Sequence, residues 1–160
     1  RLSSTSLNRQ TSQALLRRIK KALSRGANAD CVFGHEKFTP LILAVKAGNI
    51  SAVKLLVEKG KANLQKRDLF ERTALLWAAR MGHAETIKYL INQGADPNVV
   101  DRSGMTPIMM AAKHNHPGVL RSLLDVKSCS MRSRTKGLRF PESPIDYAIK
   151  SEMDTYLLRE

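Results

Sequence analysis

The sequence has few acidic residues for its length, and two stretches have none at all. Lysine and arginine number 27 against 14 for aspartate and glutamate, which gives a formal net charge of +13. Residues 9–25 carry six basic residues and residues 127–140 carry five, with no acid in either stretch. Such an excess of positive charge favours acidic protein surfaces, nucleic acid or anionic lipid as partners. The alternative is that the positive surface only keeps the domain soluble.

Long hydrophobic runs are absent, and cysteine is rare. No apolar run approaches the ~20 residues that a membrane span requires, and no secretory signal lies near the start. Two distant cysteines, Cys31 and Cys129, are typical of reduced thiols in an intracellular protein, although one disulfide is left open. At 160 residues, 42% of them hydrophobic, the chain is predicted to form one globular domain. Because it begins with Arg1, we expect a segment of a longer protein.

The usual sequence signals of catalysis are also missing. There is no G-x-S-x-G elbow, no glycine-rich phosphate loop, and no Cys–His pair at a recognisable spacing. The pair His114-x-His116 could begin a metal site, but zinc needs further ligands of compatible geometry. We therefore predict a protein that is not an enzyme and that holds neither a cofactor nor a metal.

What the chain does contain is an internal repeat. Three segments align with one another: residues 38–60, 72–94 and 105–127. A fourth copy, residues 142–160, follows after a longer gap. A half copy, residues 14–30, precedes the first and has a second helix but no clear first one. The threonines Thr39, Thr73 and Thr106 recur at spacings of 34 and 33 residues.

Each full copy is predicted to form two short helices. The three threonines are plausible N-caps, and Pro40 and Pro107 suit the first helical position, where no amide hydrogen is needed. The first helix of each copy is predicted to stop at Gly48, Gly82 or Asn115. The second helix is predicted to end at Gly60 in one copy and at Gly94 in the next. Neither helix can bury its apolar face alone, so the copies must stack on one another.

The segments "DRSGMTPIMMAA" (101–112) and "AARMGHAETIKYLINQGADPN" (78–98) closely resemble the ankyrin repeat. The resemblance covers nearly the whole chain from about residue 14. It implies an all-α solenoid of stacked helix pairs with β-hairpin-like fingers between them. The implied units are a partial N-terminal cap, three repeats, and a C-terminal capping repeat with an extended finger: 7–33, 34–66, 67–100, 101–133 and 134–160.

Several positions depart from the family pattern. The first-helix histidine is absent from every copy, so its usual hydrogen bond with the threonine is unavailable. The finger glycine is Lys37 in one copy and Glu71 in the next, and only Gly104 keeps it. His116 aligns with His83 at the position that opens the second helix, where the resemblance implies a structural, hydrogen-bonding imidazole. Trp77 could stack on a cofactor. It aligns, however, with Leu43 and Met110 at a packed first-helix position, which favours a core role.

The resemblance places a protein-binding surface on the concave side, along the finger tips and the ends of the first helices. The matching finger positions are His35, Glu36, Phe38, Leu69, Phe70, Arg72, Arg102, Ser103 and Met105; the helix-end positions are Lys46, Ala47, Arg80, Met81, Lys113 and His114. Five members are large apolar residues for which solvent exposure is expected, and Glu36 is the only acid. Such a surface suits a protein or peptide ligand with apolar anchors and acidic flanks. For Phe38 and Leu69, packing beneath the fingers is the alternative.

Two other functions stay open. The stretches 9–25 and 127–140 could bind nucleic acid or anionic lipid, although neither has the interleaved aromatics typical of single-strand binders. The segment "RRIKK" (17–21) could be a nuclear-import signal or only a solvated helix face. The chain could also recruit the substrate of a larger enzyme or effector. We expect an intracellular monomer, cytoplasmic or nuclear, or located in a host cell if the protein is a bacterial effector.

Overall fold

A computed structural model describes residues 4–126, with side chains from residue 13 onward apart from Leu15. This part of the chain forms seven α-helices and no extended strands; one isolated β-bridge joins Phe33 to Phe38. The helices are α1 Ser4–Ser24, α2 Pro40–Lys46, α3 Ile50–Glu58, α4 Ala74–Met81, α5 Ala84–Asn92, α6 Pro107–Lys113 and α7 Pro117–Leu124. The predicted second basic stretch and the C-terminal capping repeat lie outside the described residues.

The helices stack in two layers. Helices α2, α4 and α6 lie side by side in one layer, while α1, α3, α5 and α7 form the other. Within each repeat, the first helix packs against the second, as in the pairs α2 with α3, α4 with α5 and α6 with α7. The predicted all-α solenoid is thus confirmed, and α1 takes the place of a second helix that has no first-helix partner.

The first helices begin at the predicted threonines. The Oγ1 atom of Thr39 accepts a hydrogen bond from the Ile42 amide at 3.2 Å, and that of Thr106 accepts one from the Met109 amide at 3.4 Å. Thr73 also stands at an N-cap, but its buried hydroxyl has no hydrogen-bond partner. The same sequence signal therefore marks three helix starts, while the capping hydrogen bond forms at two of them.

The turn after α3 places a non-glycine residue in the left-handed conformation. Gly60 does not adopt the left-handed conformation; Lys61 adopts it instead, with φ of 52°. A Cβ on Gly60 would lie 2.6 Å from the carbonyl oxygen of Leu56 and 3.0 Å from the Cβ of Ala29. Gly60 is therefore needed because the chain passes so close to its neighbours, and Lys61 holds the conformation that Gly94 holds one repeat later.

The histidines that open the second helices fill the space beside the glycines of the preceding repeat. A Cβ on Gly48 would lie 3.1 Å from the ring of His83, and one on Gly82 would lie 2.7 Å from the ring of His116. The Nε2 atom of His116 also lies 2.9 Å from the carbonyl oxygen of Arg80. His116 is therefore the structural hydrogen-bonding group that was predicted, and His83 packs in the same way without a partner for its Nε2.

The core lies between the two layers and is filled mainly by aliphatic side chains and methionine. Trp77 and Met110 are buried at the first-helix position, as predicted, but Leu43 is 41% exposed. Trp77 contacts side chains of the repeat before it. Helix α2 is the first helix of the α2, α4 and α6 layer in the described chain, so no preceding helix of that layer covers Leu43. The prediction of packing at Leu43 is therefore wrong.

Candidate protein-binding surface

Two buried aspartates shape the fingers. The Oδ1 atom of Asp68 accepts hydrogen bonds from the amides of Phe70 and Arg72, at 2.8 and 2.9 Å. The Oδ1 atom of Asp101 accepts from the amides of Ser103 and Met105, at 2.9 and 3.0 Å. Each carboxylate thus fixes a tight turn whose tip points away from the core. Both aspartates were missed as functional positions, although their recurrence 33 residues apart was a usable signal.

The fingers are joined in a row by backbone hydrogen bonds. The Leu69 amide donates to the carbonyl of Glu36 at 2.9 Å, and the Arg102 amide donates to the carbonyl of Phe70 at 3.0 Å. Successive finger tips therefore keep a fixed spacing from one repeat to the next. We call the side of the stack formed by these tips and the C-terminal ends of α2, α4 and α6 the finger face.

Trp77 lies buried beneath the finger face, with 7% of its surface exposed. Its Nε1–H donates to the Oδ2 atom of Asp68 at 2.8 Å, so the same carboxylate holds both the finger and the indole. The ring of Phe38 meets the indole edge-to-face, with centroids 5.7 Å apart and planes at 84°. The Nζ atom of Lys46 lies 3.8 Å from the Phe38 centroid and 4.4 Å from that of Trp77. Both rings therefore attract and order this ammonium group.

Two arginines also lie against the Trp77 ring. The Cζ atoms of Arg72 and Arg80 are 5.5 and 5.2 Å from its centroid. Arg72 also lies 5.0 Å from the Phe70 centroid, and its Nε–H donates to the Oδ2 atom of Asp101 at 3.4 Å. Three cations thus surround one indole, and we call Lys46, Arg72, Arg80 and Trp77 together the Trp77 cluster.

The five apolar candidates divide into two groups. Leu69, Phe70 and Met81 are exposed, at 43%, 40% and 41%, as predicted. Phe38 and Met105 are buried, at 9% and 5%, so the expectation of exposure was wrong for these two. Phe38 is covered because its ring packs on the edge of Trp77, and Met105 because its finger turns it inward against the core.

Of the remaining candidates, His35 and Glu36 are exposed on the first finger and Ala47 just after α2, while the others lie at the C-terminal end of the described finger face. Arg102 and Ser103 are exposed on the third finger, and Lys113 ends α6. His114 follows, with its ring stacked on that of His116 at a centroid distance of 6.3 Å. Burial, and then the positive charges of Arg80, His116, Lys113 and Arg72, lower the pKa of His114 from its ordinary value of 6.5. The pKa shift is thus caused first by burial of the ring and then by the positive charges at this end of the finger face.

The described residues contain neither a three-ligand metal group nor a membrane-spanning helix. Within residues 4–126 no group of three histidine, cysteine or acidic side chains could hold a metal ion. His114 and His116 do lie together, but no third ligand joins them in that range. The same range contains no helix whose length and hydropathy would let it cross a bilayer.

Comparison with known proteins agrees with the repeat geometry. A family model of ankyrin repeats in three copies matches residues 11–101, 61–135 and 87–158. The chain belongs to the ankyrin-repeat family. Over 107 residues it is 35% identical to an ankyrin repeat, SAM and basic leucine zipper domain-containing protein 1 from Echinops telfairi. That match covers 64% of this chain and 22% of the relative. It is 36% identical over 107 residues to ankyrin repeat and SAM domain-containing protein 6 from Rattus norvegicus, covering 66% of this chain and 12% of that protein. The chain thus spans less than a quarter of either relative.

Ankyrin repeats are protein–protein interaction modules and not catalytic domains. Membership in the family therefore gives this chain a general role in protein binding. The family alone names neither the partner nor the surface, so both must be argued from the side chains of this chain.

Proposed function

We propose that the chain binds an acidic segment of a partner protein, one that also carries apolar side chains, on its finger face. The observation that carries the proposal is the Trp77 cluster, in which three cations surround one indole beside an exposed phenylalanine. Arginine and aromatic side chains are the groups most often found at the energetic centre of protein interfaces.

The apolar part of the proposal rests on the exposed members of the finger face. Leu69 and Phe70 occupy the tip of the second finger, and Met81 ends α4 next to Arg80. Exposed apolar side chains surrounded by charged ones commonly mark binding sites. Leu69 and Phe70 would serve as the contacts for the partner's apolar anchors, with Met81 as a third.

The charge of the finger face supports an acidic partner. Among the described residues, Lys46 and Arg80 have no carboxylate within ion-pair distance, and Arg72 pairs with the buried Asp101. Lys113 and Arg102 add two further positive charges at the C-terminal end. Complementary charge on the partner would speed its encounter with this face and disfavour basic competitors.

The test is a pull-down at low and near-physiological salt with the wild type and with Phe70→Ala/Arg80→Ala. The captured protein is then purified and its affinity for both forms is measured directly. We expect retention by the wild type at both salts and a loss of at least tenfold in affinity for the double variant, since truncating two central contacts usually costs more than about 1.4 kcal/mol. Arg132→Glu/Arg134→Glu provides the charge control and should bind as the wild type does. If the first pair has no effect, the finger face is not the site.

A second candidate function is electrostatic binding of nucleic acid or anionic lipid by the basic stretch 9–25. The observation in its favour is a groove of about 590 Å³ between α1 and α3, lined in part by Arg17, Lys20, Lys54 and Lys59. Glu58 also lines that groove, which weakens it as a phosphate site. Binding of this kind would fall steeply as salt rises and would be indifferent to Phe70→Ala/Arg80→Ala.

A further inference from the structure

We infer that Arg72 and Arg80, which both contact the indole ring of Trp77, form a subsite for one phosphorylated side chain of the partner protein. The inference rests on the proposed function, because the subsite is part of the finger face. It adds the chemical class of the group that binds there. The finger face would then recognise a modified form of its partner.

The two guanidinium groups contact the same indole ring. Each Cζ atom lies within 5.5 Å of the same indole centroid, so the two can be no further apart than twice that distance. They come from different elements, Arg72 from the second finger and Arg80 from the last turn of α4. Guanidinium groups that reach one ring from separate elements can donate to different oxygens of one anion, and phosphate recognition uses paired donors of this kind.

The guanidinium groups are also ordered before any ligand arrives. Arg72 is fixed by Phe70, Trp77 and Asp101, and the contact with Asp101 uses only its Nε–H. The remaining four N–H donors of Arg72 are not used in that contact. Arg80 lies on the indole, which Asp68 holds through the Nε1–H of Trp77. Ordering in advance lowers the entropic cost of binding, so a single small anion can gain affinity here.

The charge balance favours a dianion over a carboxylate. Asp101 offsets Arg72, but Arg80 has no carboxylate within ion-pair distance among the described residues, and neither does Lys46 at the other side of the indole. A phosphoryl group carries about −1.5 to −2 at pH 7 and offers three acceptor oxygens, whereas a carboxylate carries −1 and offers two. Arg80 and Arg72 are among the positive charges that, after burial, lower the pKa of His114, and a bound phosphoryl group would offset them.

The test compares three peptide libraries that differ only at one central position, which is phosphoserine, serine or glutamate, with random flanks. Binding of each to the whole 160-residue chain is measured by fluorescence anisotropy. We expect the phosphoserine library to bind at least about tenfold more tightly than the serine library, because charge-assisted hydrogen bonds contribute on that scale. Glutamate should fall between the two.

Matched variants place the effect on the subsite. Arg80→Gln should abolish the preference for phosphoserine, and Arg80→Lys should restore only part of it, because lysine keeps the charge but lacks the fork. Lys88→Gln, on the outer face of α5, removes one charge away from the finger face and should leave the preference unchanged. Circular dichroism of each variant confirms that the fold is kept.

A second readout follows the ring of His114 by NMR. In the wild type, the phosphoserine library should raise the pKa of His114, and the serine library should not. In Arg80→Gln the pKa of His114 should already be higher without ligand, since one of the charges that lowers it is gone. A change of fold alone would not produce this ligand-specific pattern.

The outcomes separate this inference from the proposed function. Equal affinity for all three libraries, or no binding of any of them, overturns the phosphoryl subsite. The proposed function survives that result if Phe70→Ala/Arg80→Ala still loses the captured protein partner. Binding to vesicles that contain phosphatidylinositol phosphates, without a preference for phosphoserine peptides, would also overturn the inference, because the phosphate would then be recognised on a lipid.

Discussion

At the scale of single residues, four exposed non-glycine residues hold the left-handed conformation that glycine adopts most easily: Lys37, Lys61, Glu71 and Asn115. We predict that Lys61→Gly stabilises the fold by roughly 0.5–1 kcal/mol. The left-handed region costs a non-glycine residue about 1–2 kcal/mol, and the greater freedom of glycine in the unfolded chain offsets part of the gain. Urea denaturation of both forms measures the difference in the free energy of unfolding.

Gly94 provides the control at the matching position of the next repeat. Its φ is 92°, and an added Cβ would meet no atom within 4 Å. Gly94→Ala should therefore destabilise the fold by about 1 kcal/mol through backbone conformation alone. A Lys61→Gly variant that is less stable than the wild type would show that the Lys61 side chain contributes more than its backbone conformation costs.

His114 gives the protein a pH dependence whose sign is set by its lowered pKa. The unfolded chain binds a proton at this site near pH 6.5, whereas the folded chain binds it only at lower pH. Stability should thus be complete above about pH 6.5 and should fall as the pH drops from there through the folded-state pKa. His114→Gln should show a smaller loss of stability between pH 7.5 and pH 5.5. Chemical denaturation at the two pH values measures it, and an equal loss in both forms would contradict the prediction.

At the scale of helices, the threonine caps Thr39 and Thr73 should respond differently to loss of the hydroxyl. Thr39→Val removes the acceptor of the Ile42 amide and should cost about 1 kcal/mol. Thr73→Val replaces a buried hydroxyl that has no hydrogen-bond partner and should be neutral or stabilising. Valine keeps the β-branched shape in both cases. Equal destabilisation of the two variants in thermal unfolding would mean that the Thr73 hydroxyl has a partner in solution.

The helices themselves could largely be predicted from the sequence, because their start and stop signals are local. Threonine before proline marks the starts of α2 and α6, and Gly82 and Asn115 adopt the left-handed conformation after α4 and α6. The reason for glycine at position 60 is less visible in the sequence. An added Cβ would approach the carbonyl of Leu56 and the side chain of Ala29, and the second contact comes from the preceding repeat, which no local pattern reports.

At the scale of the whole molecule, exposure depends on which repeat lies next to a residue. Leu43 and Trp77 occupy equivalent positions in α2 and α4. Of the two, only Trp77 has a described helix of the same layer before it, which is α2. The candidate site shows the same limit. Its positions could be chosen from the repeat pattern, but the convergence of Arg72, Arg80 and Lys46 on one indole results from stacking and from the aspartates that hold the fingers. The repeat pattern can therefore select positions for a candidate surface, but it does not show how their side chains cluster.

The stack also predicts how stability is distributed along the chain. Helix α4 packs against α2 on one side and α6 on the other, whereas α1 packs against α3 on one side only. In a repeat protein each unit is stabilised by its neighbours, so amides of α4 and α5 should be the most protected from hydrogen exchange and those of α1 the least among the described helices.

Leu76→Ala, at a fully buried position of α4, should cost about 2–5 kcal/mol and lower the protection of both adjoining repeats. Ile19→Ala, on the partly buried face of α1, should lower protection mainly within α1. Faster exchange in residues 72–94 than in α1 would show that the stack is not stabilised from its centre.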